Sequence, residues 1–249
     1  MGGATNWFDQ GGANYARYRP DYPDALAQAL ADLAPNRRLA VDVGCGNGQF
    51  TGLLAAHFEA VIGLDPSADQ IAHAAPDARI TYRCAPAEAL AVEDSAASLI
   101  TAAQAAHWFD LPAFYAEAQR IAVPGAAIAL ISYGVARLDP GPINDRLARF
   151  HDLDVGPFWP AERHMVENGY ADMAFPFPPL PVPALAIRRN WNTHQLLGYV
   201  GTWSAVRRAR EAGQERKLTD FAADLIDLWG DPEQTRPISW PISVRAGTL

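Results

Sequence analysis

The chain has 249 residues, 49% of them hydrophobic and 19% charged, a balance that supports a packed core and excludes a disordered chain. Its formal net charge of −8 argues against a nucleic-acid partner, which would favour a basic face, but allows a small anion held by a few local arginines. Two cysteines, Cys45 and Cys84, are too few for a disulfide framework and suit a reducing cytoplasm; residues 1–10 lack a signal-peptide pattern, and no apolar run has the length of a membrane span.

Five aromatics, Trp7, Phe8, Tyr15, Tyr18 and Tyr22, precede the first strong helix. Pro23 opens that helix, whose apolar stripe is Leu26, Ala29, Leu30 and Leu33 and which ends before Pro35. Residues 39–43 are short, mostly apolar and rich in β-formers, which predicts a buried strand. Gly44, Gly46 and Gly48 follow at every second position, and Thr51, Leu53, Leu54 and Phe58 predict a helix from about Gly48. Glycine tolerates positive φ and lets a ligand approach the backbone. Strand, glycine turn and helix start therefore predict a nucleotide-type pocket beyond the carboxyl end of a parallel strand. The next strand, 60–64, ends at Asp65, 21 positions after Gly44, where an acid can accept both ribose hydroxyls or simply cap the helix after Pro66. Ser67 is the N-cap candidate, with Gln70 as its capping-box partner.

Strands are predicted at 80–84 and 97–101. Gln104, His107 and Trp108 come just past the second of these, where active-site groups gather in such sheets. Asp110 caps a helix over 111–122 with Pro112 in its first turn, and the Pro124-Gly125 turn leads into a strand over 126–132. From 133 to about 183 the periodicity weakens, and the stretch reads as a cap with no core of its own; Ile143, Leu147 and Phe150 suggest one helix in it. Phe158, Trp159, Tyr170, Phe175 and Phe177 either line a pocket or seal this cap, and Arg137, His151, Arg163 and His164 either bind an anion or form a solvated face. Residues 184–191 alternate as a strand and 193–204 read as a helix. Arg207, Arg208 and Arg210 mark an exposed helix face, and Leu218, Phe221, Leu225 and Leu228 a core-facing one. A last strand over 238–244 is expected to pair antiparallel at the sheet's end.

The run Val41-Asp-Val-Gly-Cys-Gly-Asn-Gly departs from the G-x-G-x-x-G dinucleotide spacing and resembles the first motif of class I S-adenosylmethionine-dependent methyltransferases. The resemblance implies an α/β fold: a doubly wound, seven-stranded, mostly parallel sheet of the Rossmann-like methyltransferase type. One domain would cover 1–249, with an amino-terminal segment 1–23 and a substrate cap at about 133–183. It also implies S-adenosylmethionine as cofactor, held by Asp42, Gly44, Cys45, Gly46, Asn47, Gly48, Asp65, Pro66 and Ser67. Tyr15-Ala-Arg-Tyr-Arg-Pro-Asp-Tyr-Pro resembles the Y-x-x-Y-R-P-x-Y-P segment of the trans-aconitate methyltransferase-like branch. That likeness implies Tyr18 and Arg19 near the methionine end of the cofactor, Arg19 pairing its carboxylate, and Trp7, Phe8 and Tyr15 near substrate. Gln104-Ala-Ala-His-Trp-Phe is similar to a Q-A-x-H-W-F run of the same branch, which implies a cofactor contact for Gln104, a substrate contact for Trp108 and a catalytic role for His107. Tyr199-Val-Gly-Thr-Trp-Ser is similar to Y-L-x-T-W-S and makes Tyr199 and Trp203 pocket candidates. Residues 85–90 resemble G-D-A-E-x-L, but Pro86 stands at the Asp position and has neither carboxylate nor N–H. Adenine recognition then falls to the Ala87 amide and apolar packing, and Glu88 reads as a helix-start residue.

The expected reaction is methyl transfer to a small-molecule acceptor, first a carboxylic acid and otherwise a phenolic or polyketide-like metabolite. A carboxylate is ionised at neutral pH and needs no base; a hydroxyl would give its proton to His107. A NAD-dependent oxidoreductase would share the turn and the acid, and a non-catalytic cofactor-binding module would keep the turn alone. No metal site, nucleic-acid partner or membrane partner is expected, and the sequence carries no sign of oligomeric state.

Overall fold

The computed structural model describes residues 18–249, so Trp7, Phe8 and Tyr15 lie outside the described residues. The chain divides into two compact units: 21–135 with 164–187 and 241–249, and 136–163 with 188–240 and the described residues 18–20.

In the first unit, α1 (Asp24–Leu33) buries Leu26, Ala27, Leu30 and Ala31. β1 (Leu39–Val43), α2 (Gln49–Leu54), β2 (Ala60–Asp65), α3 (Ala68–Ala72) and β3 (Ile80–Cys84) then alternate as the patterns predict. β4 (Ala97–Ala103), α4 (Leu111–Ile121) and β5 (Ala122–Tyr133) complete the parallel part. β5 starts earlier than 126 because Ala122 already pairs Ala97; the register shifts between Ala97 and Leu99, where β5 carries Pro124 and Gly125 at φ +78°. The sheet order is β3-β2-β1-β4-β5-β8-β6, with β6 (Pro179–Leu180) and β8 (Arg236–Thr248) closing it. β8 runs antiparallel to β5, from Ala127 opposite Thr248 to Tyr133 opposite Ile242. Six of the seven predicted strands lie on this path; the one predicted at 184–191 is β7 (Leu185–Trp191), which pairs β8 off it, and the two-residue β6 was not predicted.

The pleat of β1 sorts its side chains. Val41 and Val43 join Ile100, Ile128 and Leu130 in a core closed by Phe114, Tyr115, Ala118 and Ile121 of α4 and by Tyr170, Met173 and Phe177. α1 and α2 pack with one another, α1 also on β4 and β5 and α2 on β1 and β2. Each such leucine or phenylalanine contributes roughly 1.5–3 kcal/mol by leaving water. Helices on both faces oblige the central strands to be apolar on both sides.

The second unit packs an aromatic core of its own. Only 136–163 of the expected cap belongs to it; 164–187 belongs with the sheet. α5 (Pro142–Arg149) continues into a π-helical turn at Phe150–Asp154. α6 (Thr193–Gly201) begins with a capping box between Asn192 and Gln195, and α7 (Ser204–Glu211) and α8 (Glu215–Trp229) follow. Phe150 stacks on Phe221 at 3.9 Å, and Tyr199 meets Trp203 and Trp240 edge-on at 5.7 and 5.3 Å. Arg146 pairs Asp154 and Asp224 while covering the Phe221 ring. α8 buries Leu218, Phe221, Leu225 and Trp229. Leu228 is exposed instead, because the helix turns Trp229 inward. Arg207 and Arg208 are exposed and Arg210 is half-buried. Arg137 and His164 are exposed, whereas His151 is buried between Trp159 and Trp203. Among the described residues no helix is long and apolar enough to cross a membrane.

Candidate active site

The glycine turn begins where β1 ends. Gly44 and Cys45 both donate N–H to Leu64 O, at 2.7 and 2.9 Å, which bends the chain off the strand toward β2. Gly44, Gly46 and Gly48 have φ of +69°, +55° and +86°, a region L-residues resist. A Cβ on Gly44 would lie 2.4 Å from Ala105 Cβ, and one on Gly48 would lie 2.1 Å from the Tyr82 hydroxyl. Among the described residues, a Cβ on Gly46 would meet nothing nearer than Gln70 Oε1 at 3.8 Å. The outer glycines are thus pressed by protein, while the middle one is not crowded by any of the described residues.

Asp65, at the end of β2, accepts Gly46 N–H on one carboxylate oxygen and Ser67 N–H on the other, each at 2.9 Å. Ser67 caps α3 as expected, its hydroxyl accepting from Gln70 N. Pro66 is exposed, and Asp65, Cys45 and Asn47 are half-buried. Burial pushes the Cys45 thiol far up, so it is no nucleophile.

Asp42 sits beneath the turn rather than on it. It is 1% exposed, and its two oxygens accept from the hydroxyls of Thr51 on α2 and Thr101 on β4, at 2.7 and 2.8 Å. Sequence reading saw both threonines only as parts of their elements. Burial pushes the Asp42 carboxyl up from its ordinary 3.8 to about 6; the two hydroxyls pull it down and Asp65 adds to the rise. Because the folded value lies above the unfolded one, ionisation of this group opposes folding. Its contribution is fully present below pH 4 and is lost as pH rises through 6, a change of roughly 3 kcal/mol. Asp42→Asn is expected to remove that dependence. In urea titrations its stability relative to wild type should rise between pH 4 and pH 7 by about that amount; a pH-independent difference would contradict the assignment.

The segment after β3 is pinned, but not as a helix. Glu88, read as a helix-start residue, lies in a turn and accepts Asp110 N–H at 2.9 Å. Glu117 accepts Leu90 N–H, and Arg120 donates to Leu90 O and Val92 O. Ala87, buried at 5%, rides on this braced loop.

Past β4, Gln104 takes φ +55° and its amide nitrogen donates to Tyr133 O at 3.1 Å. His107 lies in a one-turn 3-10 helix, half-buried, with Nδ1 3.0 Å from the Tyr170 hydroxyl. Trp108 stands beside it, its ring 4.8 Å from the imidazole and 63% exposed. In the second unit the Tyr18 ring packs on Gly198, the Arg19 guanidinium lies over the Tyr199 ring at 5.9 Å, and Tyr199 and Trp203 are 2% and 4% exposed in the aromatic core. Packing accounts for the placement of both these aromatics.

A doubly wound sheet whose first strand runs into a glycine turn, faced by an acid at the end of the second, defines a nucleoside-cofactor-binding class. The comparisons narrow it. A methyltransferase-domain family matches residues 41–130. A solved structure from Anaeromyxobacter dehalogenans, assigned as a type II methyltransferase, is 43% identical over 93% of this chain and 98% of that one, with a TM-score of 0.87. A Dictyostelium discoideum protein assigned as a methyltransferase is 29% identical over 87% of this chain and 83% of its own length. The malonyl-acyl-carrier-protein O-methyltransferase of Dechloromonas aromatica is 31% identical over 57% of this chain and 55% of its own. The chain belongs to the class I S-adenosylmethionine-dependent methyltransferases, and S-adenosylmethionine is its cofactor.

Proposed function

We propose that this enzyme belongs to the trans-aconitate methyltransferase-like branch and methylates a carboxylate oxygen of a small organic acid in a reducing cytoplasm. The observation that carries the site assignment is the turn itself: Gly46, uncrowded among the described residues, next to the Asp65 carboxylate. Asp65 has acceptor capacity beyond Gly46 and Ser67 for the ribose hydroxyls. Gly46 offers close backbone approach, Asp42 ties Thr51 of α2 to Thr101 of β4 beneath the turn, and Ala87 supplies apolar packing for adenine in place of the acid that Pro86 lacks. Gln104 stands at the methionine end. The bound cofactor supplies an electrophilic methyl group on a sulfonium that leaves as a neutral thioether.

The acceptor assignment draws on the Q-A-x-H-W-F likeness and on the partial relative named for O-methylation of a malonyl group. His107 holds the acceptor carboxylate by an N–H donor and Trp108 covers it, which orients one oxygen toward the methyl carbon and needs no base. In the second reading, a phenolic hydroxyl, the same histidine takes the proton; its held, half-buried ring at the end of β4 is what favours that reading.

The test is a panel of small di- and tricarboxylic acids, trans-aconitate included, beside simple phenols, scored by S-adenosylhomocysteine release and by the mass of the methylated product. Methyl esters without aryl ethers are expected; the reverse pattern moves the assignment to the phenols. His107→Ala should leave cofactor affinity within about twofold and lower kcat/KM for the acid by roughly 10- to 100-fold, the loss of one charge-assisted hydrogen bond. An unchanged kcat/KM takes His107 out of the acceptor site.

A further inference from the structure

Tyr170 reaches His107 from a turn that is held unusually firmly. The residue is wholly buried, and its backbone takes φ +63°, a region a bulky aromatic enters only when its surroundings impose it. Gly169 before it has φ +68°, and a Cβ there would lie 2.6 Å from Ser243 Oγ on β8. Tyr170 N–H donates to Met165 O at 2.8 Å. Two residues along β8 from Ser243, the Arg245 guanidinium donates to the carbonyl oxygens of Tyr170 and Met173 and lies over the Phe175 ring at 5.0 Å. β8 itself is registered on β5, with Arg245 opposite Leu130. The clamp thus runs from the sheet through Arg245 to the Tyr170 backbone, and from the Tyr170 hydroxyl to His107 Nδ1 at 3.0 Å. The two rings lie nearly parallel, 29° apart with centroids at 6.0 Å.

A histidine asked to donate to a carboxylate must carry its proton on the working nitrogen, and the partner of the other nitrogen decides this. We infer that Tyr170, clamped by Arg245, is a positioning residue for the methyl transfer: its hydroxyl donates to His107 Nδ1, so that the neutral imidazole carries its proton on Nε2 and presents that N–H to the acceptor's carboxylate. The inference rests on the reading that His107 acts on the acceptor. Nothing is consumed in it; the phenolic proton stays on the phenol, and only the choice of imidazole tautomer is set.

The test is long-range proton–nitrogen correlation spectroscopy on the 15N-labelled full chain with S-adenosylhomocysteine bound, the His107 resonances being identified by their loss in His107→Gln. The wild type is expected to show the Nε2–H tautomer as the dominant neutral form, and Tyr170→Phe a mixture of the two. With trans-aconitate as the probe acid, Tyr170→Phe should raise KM roughly three- to tenfold while S-adenosylhomocysteine affinity stays within twofold. A dominant Nδ1–H tautomer in the wild type overturns the inference. An unchanged tautomer in Tyr170→Phe, in a protein where His107→Ala still impairs methylation, overturns it alone. If His107→Ala leaves methylation intact, the functional reading fails, whatever the tautomer.

Discussion

Gly44→Ala is expected to abolish S-adenosylmethionine binding and methyl transfer and to destabilise the fold by roughly 2–5 kcal/mol. Two costs add. An L-residue at φ +69° pays about 1–2 kcal/mol, and a methyl 2.4 Å from Ala105 Cβ must displace a small side chain with no flexible end to swing away, typically about 1–3 kcal/mol more. The displacement falls on the segment that carries Gln104 and His107, so the damage passes from the cofactor turn to the acceptor side. Against a total stability on the order of 5–15 kcal/mol the variant should still fold, which thermal unfolding can verify. Gly52→Ala is the control. It lies exposed in α2 with none of the described residues within 4 Å of its would-be Cβ, and should raise stability by roughly 0.5–1 kcal/mol with binding unchanged. Equal losses in the two variants would mean that the turn is not special.

The second large effect is at Asp65. Asp65→Ala removes the acceptor of Gly46 N–H and of Ser67 N–H together, and with it the ribose partner. Cofactor affinity is expected to fall roughly 100-fold, about 2.7 kcal/mol, and stability by about 1–3 kcal/mol. Asp65→Asn keeps one acceptor oxygen and should fall less, roughly tenfold. Titration calorimetry separates binding from folding; full affinity in Asp65→Ala would remove this acid from the cofactor site.

What could be read from the sequence was what is local. The Ser67 cap and the Asp110 cap act within a few residues of themselves, the glycines mark a turn by their own spacing, and the structure places each in the predicted element. Alternating strands and helices implied parallel crossovers, which β1 to β5 make. Partnerships between distant residues were not legible. Thr101 is 59 positions from Asp42, Tyr170 is 63 from His107, and Arg245 is 75 from Tyr170; none has a spacing that composition or period can detect. Tyr170 was visible only as one of several aromatics of an irregular stretch. The aromatic core of the second unit escaped for the same reason, since Phe150 and Phe221 come from segments 71 apart. At the end of α8 both Leu228 and Trp229 fit an apolar stripe, and burying the larger ring won.

A cofactor pocket built from Gly44 to Gly48 and Asp65 is tested most directly by calorimetric titration of the purified chain with S-adenosylmethionine, S-adenosylhomocysteine and NAD. Saturable one-site binding of the first two, lost in Gly44→Ala and Asp65→Ala, with no heat from NAD, is the predicted result. Binding of NAD alone, or cofactor binding indifferent to both variants, would contradict it.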